Sequence, residues 1–447
     1  MSVFWDQSFA DDKTAVVTQT GESLSYSELY SLADTFAAAL RPHSLVFIYA
    51  GNNIPTLAAY LGCLRNGHVS LLISSELNGS LRLTLEEIYQ PDYIYAPNIA
   101  GEYELTPTGH LHSVEMNPEL ALLLSTSGST GSPKLVRLSH ANIQANAESI
   151  AQYLRLDDSE RPVTNLPIYY SYGLSVINSH LQAGATLLLT DRSIISPEFW
   201  VFCDTHEFTS LAGVPYTYDM LEAVGFRRRK CPSLRYMTQA GGHMSAKLVQ
   251  TYAAWAEENQ MRFYVMYGQT EATARMSYLP PSLSTQHPDS IGVPIPGGAF
   301  SIDASDSDSG ELIYRGKNVS LGYAESRHDL SLGDSNCGVL RTGDIARVDS
   351  DGLYYIVGRL KRFIKISGNR FGLDEMDSIF QSMGIEAVCG GGDGKLQIAI
   401  TNEADKQHIA GYLKETWHLM RNQYTIKVVD SIPRSSTGKI LYSQLFS

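Results

Sequence analysis

Residues 125–140 read Ser-Thr-Ser-Gly-Ser-Thr-Gly-Ser-Pro-Lys-Leu-Val-Arg-Leu-Ser-His. Hydroxyls, bare backbone N–H groups and one ammonium in such a run suit a polyphosphate, because glycine puts no Cβ between backbone and anion. Thr126, Ser127, Gly128, Ser129, Thr130, Gly131 and Lys134 are the candidate phosphate ligands. The spacing is not that of a Walker A loop, in which Gly-Lys-Ser/Thr opens a helix. Here Pro133 precedes Lys134 and a strand-like Leu-Val-Arg-Leu follows, which disfavours a P-loop NTPase. Without a ligand, the same composition reads as a flexible Gly/Ser loop.

Further segments carry hydroxyls, carboxylates and cations at suggestive spacing: Tyr267-Gly-Gln-Thr-Glu271, Gln239-Ala-Gly-Gly-His-Met244, Thr342-Gly-Asp344 followed by Gly358-Arg359, and Pro433-Arg-Ser-Ser-Thr-Gly-Lys439. Each alone is a commonplace turn. In this order they resemble the adenylate-forming superfamily of AMP-dependent synthetases and ligases: acyl- and aryl-CoA synthetases, the adenylation domains of peptide synthetases, and luciferases. The resemblance runs from about Leu24 to Lys439, nearly the whole chain.

The resemblance implies a role for each motif. Thr270 meets the AMP phosphate, and Glu271 helps hold Mg²⁺, a hard cation that prefers carboxylate and phosphate oxygens. The adenine packs against Gly241, Gly242 and His243, the last standing where proline is usual, with Tyr267 and Gly268 alongside. Asp344 accepts hydrogen bonds from the ribose hydroxyls, and Arg359 reaches the same nucleotide. Lys439 bridges the substrate carboxylate and the α-phosphate, so the candidate catalytic residues are Lys439, Thr270 and Glu271. The reaction implied is attack of a carboxylate on the α-phosphorus of ATP, with pyrophosphate released and an acyl-adenylate formed, followed by transfer to a thiol. ATP and Mg²⁺ are the expected cofactors, with CoA or a separate acyl or peptidyl carrier protein as acceptor.

Substrate choice is expected to rest on Pro167-Ile-Tyr-Tyr-Ser-Tyr-Gly-Leu174 and the turn at Val214, giving Tyr170, Tyr172, Gly173 and Val214 as pocket residues. Tyr170 stands where histidine is frequent in relatives. The aspartate that pairs with an α-ammonium in amino-acid-activating relatives is absent, and burying that ammonium without a counter-charge is costly. An aryl or short-to-medium acyl acid is therefore expected. A stand-alone amino-acid-activating domain and a non-catalytic nucleotide-binding homologue remain as alternatives. Two departures stand out: Leu135 follows Lys134 where relatives have glycine, and Arg227-Arg-Arg-Lys230 is either a grip for phosphate or an acidic carrier face, or a solvated surface.

These segments need a scaffold. Apolar strand-like runs at 45–49, 185–189 and 263–266 alternate with helical patterns at 27–40, 140–154 and 245–258, the signature of α/β layering. Residues 303–310 read as a polar turn between strands. The fold expected is a large N-terminal body of layered α/β subdomains, 1–358, and a small hinged α+β C-terminal lid, 359–447, carrying Lys439. The lid's pattern is a strand at 363–367, a helix at 373–383, a strand at 395–401, a helix at 408–420 and a strand at 424–429. By resemblance Lys361 is the hinge, a position where aryl-CoA ligases and luciferases often carry lysine.

Composition agrees. With 447 residues the chain exceeds one compact core. A net charge of −13 argues against a nucleic-acid binder, which would show a basic stripe. Five scattered cysteines without a C-x-x-C pair, no uninterrupted apolar span and no apolar leader lead us to expect cytoplasmic residence without a membrane span. Nothing resembling a carrier domain follows Lys439, so a separate acceptor is expected.

Overall fold

The computed structural model describes the whole chain except residues 1–2, 10–11, 78, 111–114, 126–133, 305–308, 361, 367–368, 393, 436–438 and 447; residues 369, 370 and 378 are described by their backbone alone. The architecture is mixed α/β, with a large body and a smaller C-terminal part.

A seven-stranded sheet anchors the N-terminal half, in the order Gly322–Ala324, Leu135–Ser139, Leu120–Ser125, Val69–Ser74, Leu45–Ala50, Tyr93–Pro97, Tyr103–Pro107. Strand Leu45–Ala50 is buried at every residue. That requires cover on both faces, as in parallel sheets. Val46, Ile48 and Ala50 pack with the helices Tyr26–Ala38 and Ile54–Arg65, whereas Leu45, Phe47 and Tyr49 pack with Leu85 and Tyr89 of helix Gly79–Tyr89.

A second sheet runs Ser210–Gly213, Tyr236–Gln239, Arg262–Tyr267, Ser277–Leu279, Val293–Pro294, with its first three strands parallel. Their carboxyl ends lie on one edge, where ligands bind open α/β sheets. From that edge leave the segments beginning at Val214, Ala240 and Gly268. Helix His140–Leu154, capped by a reciprocal Ser139–Asn142 pair, and helix Ser171–Ala183 pack between the two large sheets.

An antiparallel four-stranded sheet, Gly298–Asp303, Gly310–Gly316, Val339–Val348 and Tyr354–Arg359, follows in the order of the chain. Its first strand ends at Asp303 and its second begins at Gly310; of the turn expected between them, residues 305–308 lie outside the described residues.

Residues from Ile364 to Val428 form a core of their own, including Met376, Phe380, Leu396, Ile398, Ile409 and Leu413. Strand Phe363–Ile366, helix Leu373–Ser382 and strands Lys395–Ile400 and Tyr424–Val428 match the sequence pattern. The helix expected at 408–420 instead spans Asp405–Glu415; a left-handed backbone at His418 (φ 54) ends the apolar repeat in a turn. Strand Ala387–Gly392 had no signal, because Cys389 and three glycines carry little β-branched character. Similarly, the strand expected at 185–189 is confined to Leu187–Leu189. Among the described residues no helix is long and apolar enough to cross a membrane, and all five cysteines are free.

Candidate active site

The segments singled out by sequence converge on the carboxyl edge of the second sheet. Strand Arg262–Tyr267 delivers Tyr267, whose hydroxyl donates to Asp344. Gln269 Nε2 donates to the same carboxylate at 2.9 Å and to the Thr342 carbonyl at 3.0 Å. Asp344 is 2% exposed, and its register partner Arg359 pairs with it through Nε at 3.0 Å. The buried carboxylate is thus held by three donors, and burial with the adjacent negative charge keeps Tyr267 protonated far above the ordinary tyrosine range.

Gly268 follows because nothing larger fits: a Cβ there would lie 1.8 Å from the Ala274 carbonyl. The single turn Thr270–Ala272 then presents two groups in succession. Thr270 hydroxyl lies 3.2 Å from that of Ser171, at the start of helix Ser171–Ala183. Glu271 accepts a 2.8 Å hydrogen bond from Tyr323. The loop's return is strained, with Thr273 at φ 64. Asn318 secures it, donating to the carbonyls of Ala272 at 2.8 Å and Arg275 at 2.9 Å, while Thr273 donates to the Asn318 carbonyl at 2.7 Å.

Of the phosphate-loop candidates, Thr126, Ser127, Gly128, Ser129, Thr130 and Gly131 lie outside the described residues, as does Lys361. Lys134 sits at the loop's exit, its ammonium 3.8 Å from the Tyr323 ring centroid and 3.7 Å from Glu325. Tyr323 therefore touches Lys134 with its face and Glu271 with its hydroxyl. Leu135, the departure from the glycine of relatives, is a buried strand residue packed with Leu321 and Ala324.

Gly241 adopts φ 82, and a Cβ would meet the Tyr170 hydroxyl at 2.3 Å and Val214 Cγ1 at 3.1 Å. Tyr170, Val214 and Gly241 thus form one wall, with Gly242 against Pro215 and His243 exposed beside them. Tyr172 lies deeper. It is edge-on to Tyr170 at 6.2 Å, bonded to the Thr238 hydroxyl at 2.8 Å, and its face carries the Arg275 guanidinium at 3.9 Å. Gly173 is a packing requirement, since a Cβ would lie 2.2 Å from the Pro167 carbonyl.

The C-terminal segment closes the site. Arg434 bridges to Ile440, and Ser435 N–H donates to the Lys439 carbonyl at 2.8 Å, a hairpin that points Lys439 inward. Its ammonium is 5.9 Å from the Tyr170 ring centroid. Burial, then the like charge of Arg359, lower it to about 8, with Glu271 opposing. Lys439, Glu271, Arg359 and Tyr170 therefore share one space.

The basic run is largely committed elsewhere: Arg227 pairs with Glu222 at 2.7 Å and Arg229 pairs with Asp204. Among the described residues no group of three His, Cys, Asp or Glu is arranged for a metal. A single carboxylate suits a cation whose other ligands are phosphate oxygens and water, so Glu271 fits Mg²⁺ arriving with a nucleotide.

A family model described as AMP-binding enzyme matches residues 5–88 and 92–324. The chain belongs to this AMP-binding family. Among relatives, phenyloxazoline synthase MbtB of Mycobacterium tuberculosis is 28% identical over 96% of this chain, which spans only 33% of that protein. The 2-succinylbenzoate–CoA ligase of Staphylococcus aureus is 24% identical, with 96% of each chain covered. Two solved structures share the fold of this AMP-binding chain. O-succinylbenzoate CoA synthetase (MenE) of Bacillus subtilis, with the acyl-adenylate OSB-AMP, has a TM-score of 0.79 at 22% identity, covering 97% of this chain and 95% of that one. ATP-bound MatB of Rhodopseudomonas palustris has 0.78 at 21%, covering 98% and 96%.

Sequence reasoning did not single out Tyr323, Asn318 or Arg275. Tyr323 and Asn318 come from segments remote from the motifs, and Arg275 lies four residues past Glu271 with no spacing signal of its own.

Proposed function

We propose that this protein is an AMP-forming acid–thiol ligase. It activates a carboxylic acid with ATP to an acyl-adenylate, releases pyrophosphate, and passes the acyl group to the thiol of CoA or of a separate carrier protein. The observation that carries the reading is the meeting of Lys439, delivered from the C-terminal part, with Glu271 and Tyr170 of the body and with Arg359 at the junction. Family membership and the relatives' named activities support it.

In this mechanism Lys439 draws the substrate carboxylate and the α-phosphate together and neutralises the charge that grows as the new P–O bond forms. Thr270, steadied by Ser171, donates to the phosphate. Asp344 exchanges its present donors for ribose hydroxyls, while Arg359 stays within ion-pair distance of the carboxylate. Glu271, aligned by Tyr323, would hold Mg²⁺, which would supply charge neutralisation to the phosphates. No covalent enzyme intermediate is required. Residues 1–358 would act as the body and 359–447 as a lid turning about Lys361.

An α-amino acid is the less suited substrate. Among the described residues, the contacts of the Tyr170–Val214–Gly241 wall include no carboxylate for its ammonium, and the nearby cation Arg275 repels one. The test is ATP–pyrophosphate exchange over panels of acyl, aryl and amino acids, followed by thioester formation with CoA or carrier proteins. Exchange only with amino acids would replace this reading with an amino-acid-activating domain. Nucleotide binding without exchange for any acid would replace it with a non-catalytic homologue.

A further inference from the structure

We infer that the acid pocket is built for a dicarboxylic acid, with Arg275 receiving the carboxylate that is not activated. The inference rests on the acid-activating reading above and narrows its substrate class.

Arg275 is 3% exposed. Its carbonyl accepts from Asn146 at 3.1 Å and Asn318 at 2.9 Å, so its backbone is fixed on the catalytic loop. The guanidinium carbon lies 3.9 Å from the Tyr172 ring centroid, the group is within hydrogen-bonding reach of the Tyr153 hydroxyl, and its field reaches Tyr170 as well. Nε has no hydrogen-bond partner, and among the described residues no carboxylate pairs with the group.

The other buried arginine among the described residues, Arg137, donates to the carbonyls of Leu321, Tyr323, Leu332 and Gly333, and the half-buried Arg327 and Arg362 pair with Asp92 at 3.0 Å and with Asp374 and Asp377. Arg275 has aromatic faces instead. A guanidinium cannot shed its proton to escape this burial, so its desolvation stands until an anion arrives.

Its position says which anion. From the reacting end, Lys439 faces Tyr170, Tyr170 packs on Tyr172, and Tyr172 carries Arg275. On the proposed placement, a substrate with one carboxylate at Lys439 and its body along the two tyrosines would meet Arg275 with its far end. Arg275 also lines a cavity of roughly 10 Å³, room for about one water, walled partly by Ser175, Ser179, His180, Tyr236 and Thr238. That cavity is too small for a long hydrocarbon tail. A methyl terminus stopping there would leave the cation without a counter-charge, whereas a carboxylate makes a charge-assisted pair with it.

The test is ATP–pyrophosphate exchange with length-matched pairs: butyrate and succinate, hexanoate and adipate, benzoate and the phthalate isomers. In the wild type the best diacid exceeds its matched monoacid in kcat/KM by about a hundredfold or more, the scale of a buried charge pair. In Arg275→Gln that ratio collapses toward one, and Arg275→Lys restores part of it. The diacid also raises the melting temperature of the wild type and not of Arg275→Gln.

Monoacids used as well as diacids by the wild type, or a ratio unchanged in a folded Arg275→Gln, overturn the inference while leaving acid activation standing. Should Arg275→Gln fail to fold, the wild-type ratio alone decides. Exchange with no acid of either kind overturns the activity itself and this inference with it.

Discussion

Lys439 is the residue on which the proposed chemistry turns. Replacing it by alanine removes one electrostatic contact to the reacting oxygens and should slow adenylation by roughly 10²–10³, measured as pyrophosphate exchange at saturating acid and ATP. Its lowered titration adds a second test. The ammonium form supplies the charge, so exchange should fall as pH rises through about 8, and Lys439→Arg should move that limb upward. Stability runs the other way. The unfolded lysine keeps its proton to about 10.5 and the folded one to about 8, so between these values the unfolded chain binds the extra proton. Stability from this group therefore rises with pH across that window and is flat below it. Urea unfolding between pH 7 and 10 should show this slope in the wild type and lose it in Lys439→Met.

At the scale of elements, strand edges place the site and a buried clamp tightens it. Arg137, fully buried on strand Leu135–Ser139, donates to the carbonyls of Leu321, Tyr323, Leu332 and Gly333 and so pins the segment bearing Tyr323. Tyr323 in turn orients Glu271 and backs Lys134. Groups that orient a metal carboxylate typically carry 10- to 100-fold of metal affinity. Tyr323→Phe keeps the ring under Lys134 and removes the bond to Glu271, so the Mg²⁺ needed for half-maximal exchange should rise about tenfold, read from a Mg²⁺ titration. Unchanged Mg²⁺ dependence would remove Glu271 from the metal's shell.

What could be read in advance follows the same division. Tyr267, Thr270, Glu271, Asp344 and Lys439 were legible because each sits in a short motif whose local chain dictates its direction. Helices such as His140–Leu154 were legible through apolar spacing and their caps. Tyr323, Asn318 and Arg275 were not, because their meaning comes from partners on remote strands. The glycine-rich strand Ala387–Gly392 hid for a different reason: its edge is set by neighbours in the sheet, not by propensity.

At the scale of the molecule, the C-terminal core meets the body partly through charged and polar groups. The C-terminal core is internally complete, and helix Leu373–Ser382 faces strand Tyr354–Arg359, with Asp374 within electrostatic reach of both Arg359 and His243. Under the proposed function such an interface would hold Lys439 in place for adenylation and still permit separation, the default for cores joined by a polar contact. If the lid turns about Lys361 between two half-reactions, the halves should be separable by mutation. Lys361→Pro fixes one φ and restricts the residue before it. It should leave pyrophosphate exchange within a few fold while slowing thioester formation at least about tenfold. Lys439→Ala should do the reverse, sparing thiol transfer from a supplied acyl-adenylate. Single-turnover measurements of each half-reaction on both variants provide the comparison, and equal losses in both halves would mean the two cores act as one rigid unit.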